Sequence, residues 1–555
     1  MTTSMIGRRV RVLTAAGLIG LLAQPVCSQE ATPIFDRAAW QEDFGQLKAT
    51  LERTYVNLAW MGSPQSGVDV PRLERRTRDA LAAATTDAEA EHALLDFVAG
   101  FHDGHLSPLP RLTANTVSAV PEPGEASLDP QDPATGCAAL GYAATSPVAF
   151  TLPFESLPGF VLSGDGLTEP FRSGLVPGPD GRRIGIVRIQ EFEPTGFPAV
   201  CMRAWAALSA ARTAPTPSAV EDAASEIWFA ALAETLAKLR KQGATAVLVD
   251  VGRNGGGGDS GDWMPRMFTD RTVSSAPMLM VDAPISAKYF DEQIRAMDQG
   301  LANHPKAAGA QALGEARRFF EERKAKIGTQ RCNLSWVWTE QRPWRASACN
   351  NLLAAGFAGG FKSSLPKGAY GNSDVARRLS WAVSIESHFG AWSGPVYVLT
   401  DARTFSAAEM FAATMKDNGI AKTLGSRTGG DGCGFMAKGD PLVLAHSQLR
   451  FRIPNCLRLR ADGTDEIAGV AADFPLSPIR GETGRGRAAR ALAAIAKDTT
   501  LMARSSVSDR CVTAAAMRAR GDRRANACSS LATASVTPPA HCVSPQPRWP
   551  SEECP

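Results

Sequence analysis

The chain has 555 residues, of which 44% are hydrophobic and 21% charged. That balance is typical of a globular protein long enough for several domains. The 59 basic residues nearly cancel the 56 acidic ones and leave a net charge of +3, so the charge gives no reason to expect a nucleic-acid partner.

The N-terminus carries the pattern of a secretory signal peptide. Basic residues at positions 8, 9 and 11 precede an apolar run over residues 12–22, and Val26 and Ser28 have the spacing that signal peptidase favours. The run is short for a permanent membrane span. We therefore expect a signal peptide over residues 1–28, a periplasmic or secreted protein, and no stable span after cleavage. An uncleaved anchor and a lipidated Cys27 are the alternatives.

Cysteine usage agrees with export. Beyond Cys27 the chain has ten cysteines, an even number that could pair in an oxidising compartment. No CxxC pair or histidine cluster suggests zinc, and we predict no metal or cofactor. Pairing between sequence neighbours is the simplest prediction: Cys332 with Cys349, Cys433 with Cys456, Cys511 with Cys528, and Cys542 with Cys554.

Helices come first along the chain. Apolar residues recur at helical spacing over residues 29–110, and Thr86-Asp87 is a good N-cap for one of these helices. Residues 111–182 read as a linker followed by an irregular stretch, in which no PDZ module is recognisable.

An α/β core is expected from residue 183 to residue 482. Short apolar strands at 184–189, 244–251 and 395–400 alternate with helices at 220–242 and 406–416, which indicates crossover connections. Residues 275–392 look like an insertion, with Trp336, Trp338 and Trp344 more typical of core packing than of a cap over a site. Residues 483–555 are expected to form a helix and a cysteine-bearing tail.

Ser406 is the first candidate for chemistry. It follows the strand at 395–400 and begins a helix, within the segment Thr404-Phe-Ser-Ala-Ala-Glu409. A serine there projects its hydroxyl from the backbone, and the helix N-terminus offers unpaired N–H groups to a developing negative charge. By itself this segment also fits an ordinary helix cap.

A glycine-rich turn supports a catalytic interpretation. The segment from Asp250 to Gly258 follows a second buried strand. Its glycines permit a turn that exposes N–H groups, and Gly256 or Gly257 could form an oxyanion hole together with the N–H of Ala407. No Lys-Ser/Thr follows the glycines, so a phosphate-binding loop is disfavoured. Gly258-Asp-Ser-Gly261 imitates the nucleophile motif of chymotrypsin-like proteases, but no matching histidine motif lies upstream.

The base is expected to be a histidine. Serine is a weak nucleophile until a base takes its proton, and histidine titrates near neutrality. His105 lies in Asp103-Gly-His105 at the end of the helical region. His102 and His446 are possible substitutes.

Together these segments resemble the C-terminal-processing (tail-specific) serine peptidases, particularly their tricorn-core-like branch. The resemblance covers about residues 183–476 plus His105, and includes Phe405-Ser-Ala-Ala-Glu409, Lys416-Asp-Asn-Gly419 and Gly425-Ser-Arg-Thr-Gly-Gly430. It implies a crotonase-like (ClpP/crotonase) α/β spiral core.

The resemblance also implies how the serine is activated. One branch of the family uses a lysine, but Asp431 occupies the matching position and Lys438 is out of register. The other branch uses Ser, His and a carboxylate, which would be Glu466 here. Asp465 and Asp473 are the alternative carboxylates.

The sequence thus predicts an exported serine peptidase that cleaves protein or peptide substrates through Ser406, His105 and Glu466. Two other functions stay open. The chain could be a catalytically inactive ligand- or peptide-binding protein on the same fold, or an esterase or amidase.

Overall fold

The computed structural model describes residues 35–111, 128–144, 148–329 and 332–498. The expected signal peptide at 1–28 and the last four cysteines lie outside the described residues. The part of the chain that is described contains no helix long and apolar enough to cross a membrane.

The described chain begins with a group of helices, as predicted. The Asp36 carboxylate caps the first helix at the N–H groups of Ala38 and Ala39, and the Thr86 hydroxyl caps the fourth at the N–H of Glu89. These helices are α1 (Arg37–Thr54), α2 (Leu58–Met61), α3 (Val70–Ala83) and α4 (Asp87–Ala99).

A seven-stranded sheet forms the centre of the fold, in the order β13-β9-β8-β5-β4-β3-β2. The pairs from β4 to β13 are parallel, and β2 and β3 extend the sheet as antiparallel strands. The strands are β2 (Val161–Gly164), β3 (Ser173–Pro177), β4 (Arg183–Arg188), β5 (Ala244–Asp250), β8 (Val396–Thr400), β9 (Ala421–Gly425) and β13 (Phe474–Pro475).

Both faces of this sheet are buried, which explains why its strands are continuous apolar runs. In β5, Val247 and Val249 face one hydrophobic cluster, and Ala246 and Leu248 face another. A helix over residues 484–498 covers the second face. The first face is covered by helices that include α6 (Pro198–Ala210), α7 (Pro217–Lys241) and α12 (Ser406–Asp417).

Elements between β5 and β8 lie outside the seven-stranded sheet, where the sequence suggested an insertion. Two of them pair with a later strand in the order β12-β6-β7. Trp338 is buried here and packs against Phe97 of α4, as expected for a core residue. The elements are α8 (Ser260–Trp263), β6 (Pro277–Val281), α9 (Ser286–Asn303), α10 (Ala310–Ala325), β7 (Leu352–Phe357) and α11 (Ser373–Leu379), with β12 (Cys456–Arg458) later in the chain.

A third sheet joins the helical region to the core. Its order is β1-β11-β10, and all its pairs are antiparallel. Its strands are β1 (Ser107–Leu109), β10 (Leu442–Val443) and β11 (Arg450–Arg452). Since β1 begins two residues after His105, this sheet helps to fix the position of that histidine.

The structure differs from the sequence analysis over residues 133–177. This stretch was expected to be irregular, yet it contains α5 (Pro133–Ala139) as well as β2 and β3. The two strands are short and glycine-containing, so their alternation is weak, and pairing with β4 supplies their stability. The mixed α/β class is confirmed. The spiral arrangement stays a prediction.

Three disulfides form within the described residues. Two are the predicted neighbour pairs, Cys332–Cys349 and Cys433–Cys456. The third, Cys137–Cys201, joins α5 to α6 across 64 residues of sequence, which neighbour pairing did not anticipate. The proposed pairs among residues 511–554 lie outside the described residues.

Replacing a core leucine tests the central sheet. Leu248→Ala should lower the free energy of unfolding by about 3 kcal/mol, because Leu248 is fully buried in β5 and truncation leaves a cavity. Leu162→Ala, on the same sheet but 45% exposed, should change it by less than about 0.5 kcal/mol. Urea unfolding followed by tryptophan fluorescence measures both, and equal effects would contradict this account of the core.

Candidate active site

Two turns meet at the carboxyl ends of the neighbouring parallel strands β5 and β8. The N–H of Phe405 donates to the carbonyl of Asn254 over 2.9 Å, and the Thr404 hydroxyl donates to the carbonyl of Val251 over 3.0 Å. The Asp401 carboxylate accepts the N–H of Arg253 over 2.9 Å. These bonds hold the segment before Ser406 against the glycine turn.

Ser406 has a left-handed backbone conformation at the junction between this turn and α12. Its φ angle is +51°, which is uncommon for a residue with a side chain. Such strained conformations persist only where the surrounding structure enforces them, and they are frequent at active sites. The same kind of strand-turn-helix geometry exposes the nucleophile of other hydrolases. Ser406 is only half-buried here.

The glycine turn approaches Ser406 as closely as a backbone can. A Cβ atom added to Gly256 would lie 2.7 Å from the Cβ of Ser406 and 3.2 Å from its Oγ. Gly256 also has a φ of +112°. Both the lack of space and the backbone conformation therefore exclude a side chain at this position. The turn therefore requires glycine at 256 in order to sit beside the hydroxyl.

Hydrogen bonds distinguish the predicted oxyanion donors from one another. The N–H of Gly256 donates to the Asn254 side chain over 2.8 Å and is therefore occupied. Within the described chain, the N–H groups of Gly257 and Ala407 make no hydrogen bond. Ala407 is the second residue of α12, where an unpaired N–H is the rule. Gly257 and Ala407 are thus the two predicted donors whose N–H groups have no partner among the described residues.

His105 is held in a tight turn after α4. The buried Asp103 carboxylate accepts the N–H groups of His105 and Leu106 on one oxygen, and the Tyr55 hydroxyl and Asn57 amide on the other. Burial raises the pKa of Asp103. This carboxylate therefore builds the turn and does not orient the imidazole.

The imidazole itself is oriented by a main-chain carbonyl. His105 Nδ1 lies 2.9 Å from the carbonyl oxygen of Asp431. A carbonyl can only accept, so Nδ1 must carry the proton, and in the neutral ring Nε2 keeps its lone pair. This is the tautomer that a base for a serine hydroxyl requires. Phe435 packs edge-on against the ring at 5.7 Å.

Glu409, one helical turn after Ser406, holds the loop that carries this carbonyl. Its buried carboxylate accepts the N–H groups of Gly430, Asp431 and Gly432 at 2.9–3.0 Å, and the hydroxyl of Thr428. Burial, and next the charge of Glu466, raise the pKa of Glu409 to about 7. One side chain of α12 thereby links the helix that begins at Ser406 to the loop that orients His105.

Glu466 has a different partner from the one predicted. Its two carboxylate oxygens accept from Nε and Nη2 of Arg458, at 2.7 and 2.8 Å, and both side chains are buried. Arg458 also donates to the carbonyl of Gly432. A buried guanidinium needs such a bidentate carboxylate. Glu466 therefore supports the loop indirectly, through Arg458. No described hydrogen bond joins it to His105.

The remaining candidates are also placed elsewhere. Asp465 caps its own turn at the N–H of Ile467, and burial raises its pKa well above the ordinary value. Asp473 pairs with Lys416. His446 contacts Glu42 on the surface, and the Ser260 hydroxyl donates to the carbonyl of Phe192.

The structure thus brings together four of the predicted residues, Ser406, Gly256, Gly257 and Ala407. His105 contacts the loop that Glu409 holds, through the carbonyl of Asp431. Among the described residues, the Ser406 hydroxyl makes no hydrogen bond, including to His105. Hydrogen bonds of catalytic groups are often long without substrate. Atoms of Asp103, His105 and Asp431 lie within 4.8 Å of one another, as metal ligands could, but both Asp103 oxygens already accept protein hydrogen bonds.

Sequence reasoning missed Glu409 and the Asp431 carbonyl. A main-chain acceptor leaves no trace in residue identity. Glu409 did leave a signal, because a glutamate three residues after a helix-starting serine lies on the same helix face.

Comparisons with known proteins find a family model and several solved structures that resemble this chain. Residues 347–475 match the family model described as peptidase family S41. No curated protein matches the chain. Among solved structures, mature CPAF complexed with lactacystin is 14% identical, with 83% of this chain and 98% of that one covered and a TM-score of 0.49. A putative peptidase from Parabacteroides merdae is 14% identical over 82% and 96%, with a TM-score of 0.40.

A third solved structure, the photosystem II D1 C-terminal processing protease, is 14% identical over 82% of this chain and 97% of that one, with a TM-score of 0.30. The chain is a serine-type peptidase. Residues 347–475 are similar to peptidase family S41, which confirms the resemblance to C-terminal-processing peptidases. The matched segment contains Ser406 and Glu409 but neither His105 nor the glycine turn.

Adding one methyl group to the glycine turn tests the geometry around Ser406. Gly256→Ala should lower kcat/KM at least 100-fold, because the new Cβ would collide with Ser406. Gly255→Ala is the matched control: nothing lies within 4 Å of its added Cβ, and its activity should stay within threefold of wild type. Peptide hydrolysis measures both, and an active Gly256→Ala enzyme would disprove the close approach.

Changing Glu409 tests the loop. Glu409→Gln should lower kcat/KM at least tenfold, because the amide NH₂ would face main-chain N–H groups that need an acceptor. Glu234→Gln, exposed on α7, is the control.

The pKa of Glu409 adds a second measurement. Because it is raised from 4.5 to about 7, the folded state binds this proton more tightly than the unfolded state. That stability is fully present below pH 4.5 and lost as the pH rises through 7. Unfolding free energy should therefore fall more steeply between pH 5 and 8 in wild type than in Glu409→Gln. Parallel pH curves would show that Glu409 does not titrate there.

Proposed function

We propose that this chain is an exported peptidase that hydrolyses peptide bonds with Ser406 as nucleophile and His105 as general base. The strained backbone of Ser406 beside the glycine turn is the observation that carries the proposal. A strained serine at a helix N-terminus, next to two unpaired N–H groups, has no evident structural purpose.

The reaction proceeds in two halves. Ser406 Oγ attacks the substrate carbonyl while Nε2 of His105 takes its proton. The oxygen of the tetrahedral intermediate is bound by the N–H groups of Gly257 and Ala407. The C–N bond then breaks, and the proton passes from Nε2 to the leaving amine. Water, activated by the same nitrogen, next attacks the acyl group on Ser406 and releases the second product.

The third member of the triad is the main-chain carbonyl of Asp431 in place of Glu466. A triad carboxylate holds the imidazole in the right tautomer and stabilises its charged form. The Asp431 carbonyl accepts from Nδ1 and so can do the first. It has no full charge, so stabilisation of the imidazolium falls to nearby acidic groups. The carboxylates of Asp103 and Asp431 each have an oxygen within 4.8 Å of a ring nitrogen of His105.

Export is supported by the disulfides. The three bridges within the described residues would not persist in a reducing cytosol. We therefore propose that residues 1–28 direct the chain to the periplasm or outside the cell.

Proteolysis of an unfolded protein such as casein tests this function. Ser406→Ala and His105→Ala should each lower the rate about 1,000-fold or more, since either change removes the activated nucleophile. Ser156→Ala and His446→Ala, both exposed, are the controls and should keep wild-type activity. A fluorophosphonate probe should label wild type but not Ser406→Ala.

The outcomes separate the competing functions. A folded wild type that neither cleaves casein nor reacts with the probe would support a binding protein on this fold. Cleavage of esters without cleavage of peptides would support an esterase. Full activity in His105→Ala would move the base role to another residue.

A further inference from the structure

A large cleft opens next to the catalytic histidine. It encloses about 920 Å³ between the start of α9, the segment leading to β10, and β11. Phe435 is part of its lining and packs edge-on against the His105 imidazole. A substrate segment in this cleft would therefore lie next to the base.

The cleft is strongly basic. Four cationic side chains line it, Lys288, Lys438, Arg450 and Arg452, against the single carboxylate of Asp440. The remaining lining includes apolar side chains, among them Ile285, Met436 and Ile453. Its shape and composition thus suit an extended peptide with acidic side chains.

Three of the four cations have no carboxylate partner among the described residues. In the described part of the chain, Lys288, Arg450 and Arg452 form no ion pair. Their hydrogen bonds go to carbonyls: Lys288 Nζ to Lys438 at 3.1 Å, Arg450 Nη1 to Pro110 at 2.8 Å, and Arg452 Nε to His105 at 3.3 Å. Arg450 Nε is buried without a hydrogen-bond partner. A carbonyl satisfies a donor without cancelling its charge, so the cleft keeps its attraction for anions.

We propose that this basic cleft binds acidic residues of the substrate on the carboxyl side of the scissile bond, and so gives the peptidase a preference for acidic sequences there. This inference rests on the proposed function for its direction. His105 must hand its proton to the leaving amine, so the leaving part of the substrate lies on the histidine side of Ser406.

Matched peptides test the preference. Two peptides taken from a casein cleavage site, with Glu or Gln at the second and third positions after the scissile bond, are compared by kcat/KM. Wild type should prefer the Glu peptide about tenfold at low salt, and much less in 1 M NaCl because salt screens the attraction.

Charge variants show where the preference arises. Lys288→Glu should reduce the Glu:Gln ratio about fivefold, the upper range for one exposed charge pair. Arg450→Gln should reduce it by a similar factor. Lys306→Glu makes the same charge change at an exposed lysine outside the cleft and should leave the ratio unchanged. Equal kcat/KM for both peptides, or an equal effect of Lys306→Glu, would overturn the inference.

Binding to inactive enzyme separates this inference from the proposed function. Fluorescence anisotropy with Ser406→Ala should show tighter binding of labelled Glu peptide than of Gln peptide, and adding Lys288→Glu should reduce this difference about fivefold. If wild type cleaves neither peptide while this binding difference persists, the peptidase proposal fails and the cleft is still a site for acidic peptides. If binding shows no difference, the cleft proposal fails whatever the activity.

Discussion

The candidate active site depends on one buried carboxylate. Glu409 projects from the first turn of α12 and gathers three consecutive N–H groups and a hydroxyl from the loop at 428–432. Without an acceptor at this point, that loop would have buried donors with no partner, each costing about 1–3 kcal/mol. The same helix turn carries Ser406, so the proposed nucleophile and the loop that orients His105, the proposed base, share one rigid support.

A buried ion pair also stabilises this loop. Arg458 donates to both oxygens of Glu466 and to the carbonyl of Gly432, and burial of all three groups makes the geometry stringent. The Cys433–Cys456 disulfide connects the same loop to β12. The loop is thus fixed by a carboxylate, a guanidinium and a covalent bridge, although its sequence is rich in glycine.

Much of this fold follows from local pattern, and much of the site does not. Buried parallel strands such as β5 and β8 are continuous apolar runs followed by turns, so their positions and the meeting of their turns could be predicted. The glycine turn comes directly after β5 in the sequence and Ser406 comes soon after β8, so both could be identified from the sequence. The partner of His105 could not be predicted, because it is a main-chain carbonyl and residue identity does not reveal such an acceptor. The partner of Glu466 could not be predicted either, because it depends on which of several nearby carboxylates the folded loop brings to Arg458. Likewise β2 and β3 are strands only because β4 pairs with them.

At Ser406, stability and the proposed catalytic function favour different residues. A backbone at φ +51° favours a residue without a Cβ, so glycine would relieve the strain at this position. The backbone would then be unstrained at the one position where the proposed reaction needs a serine hydroxyl. Selection for stability alone would favour glycine at position 406. The presence of serine there therefore indicates selection for something other than thermodynamic stability.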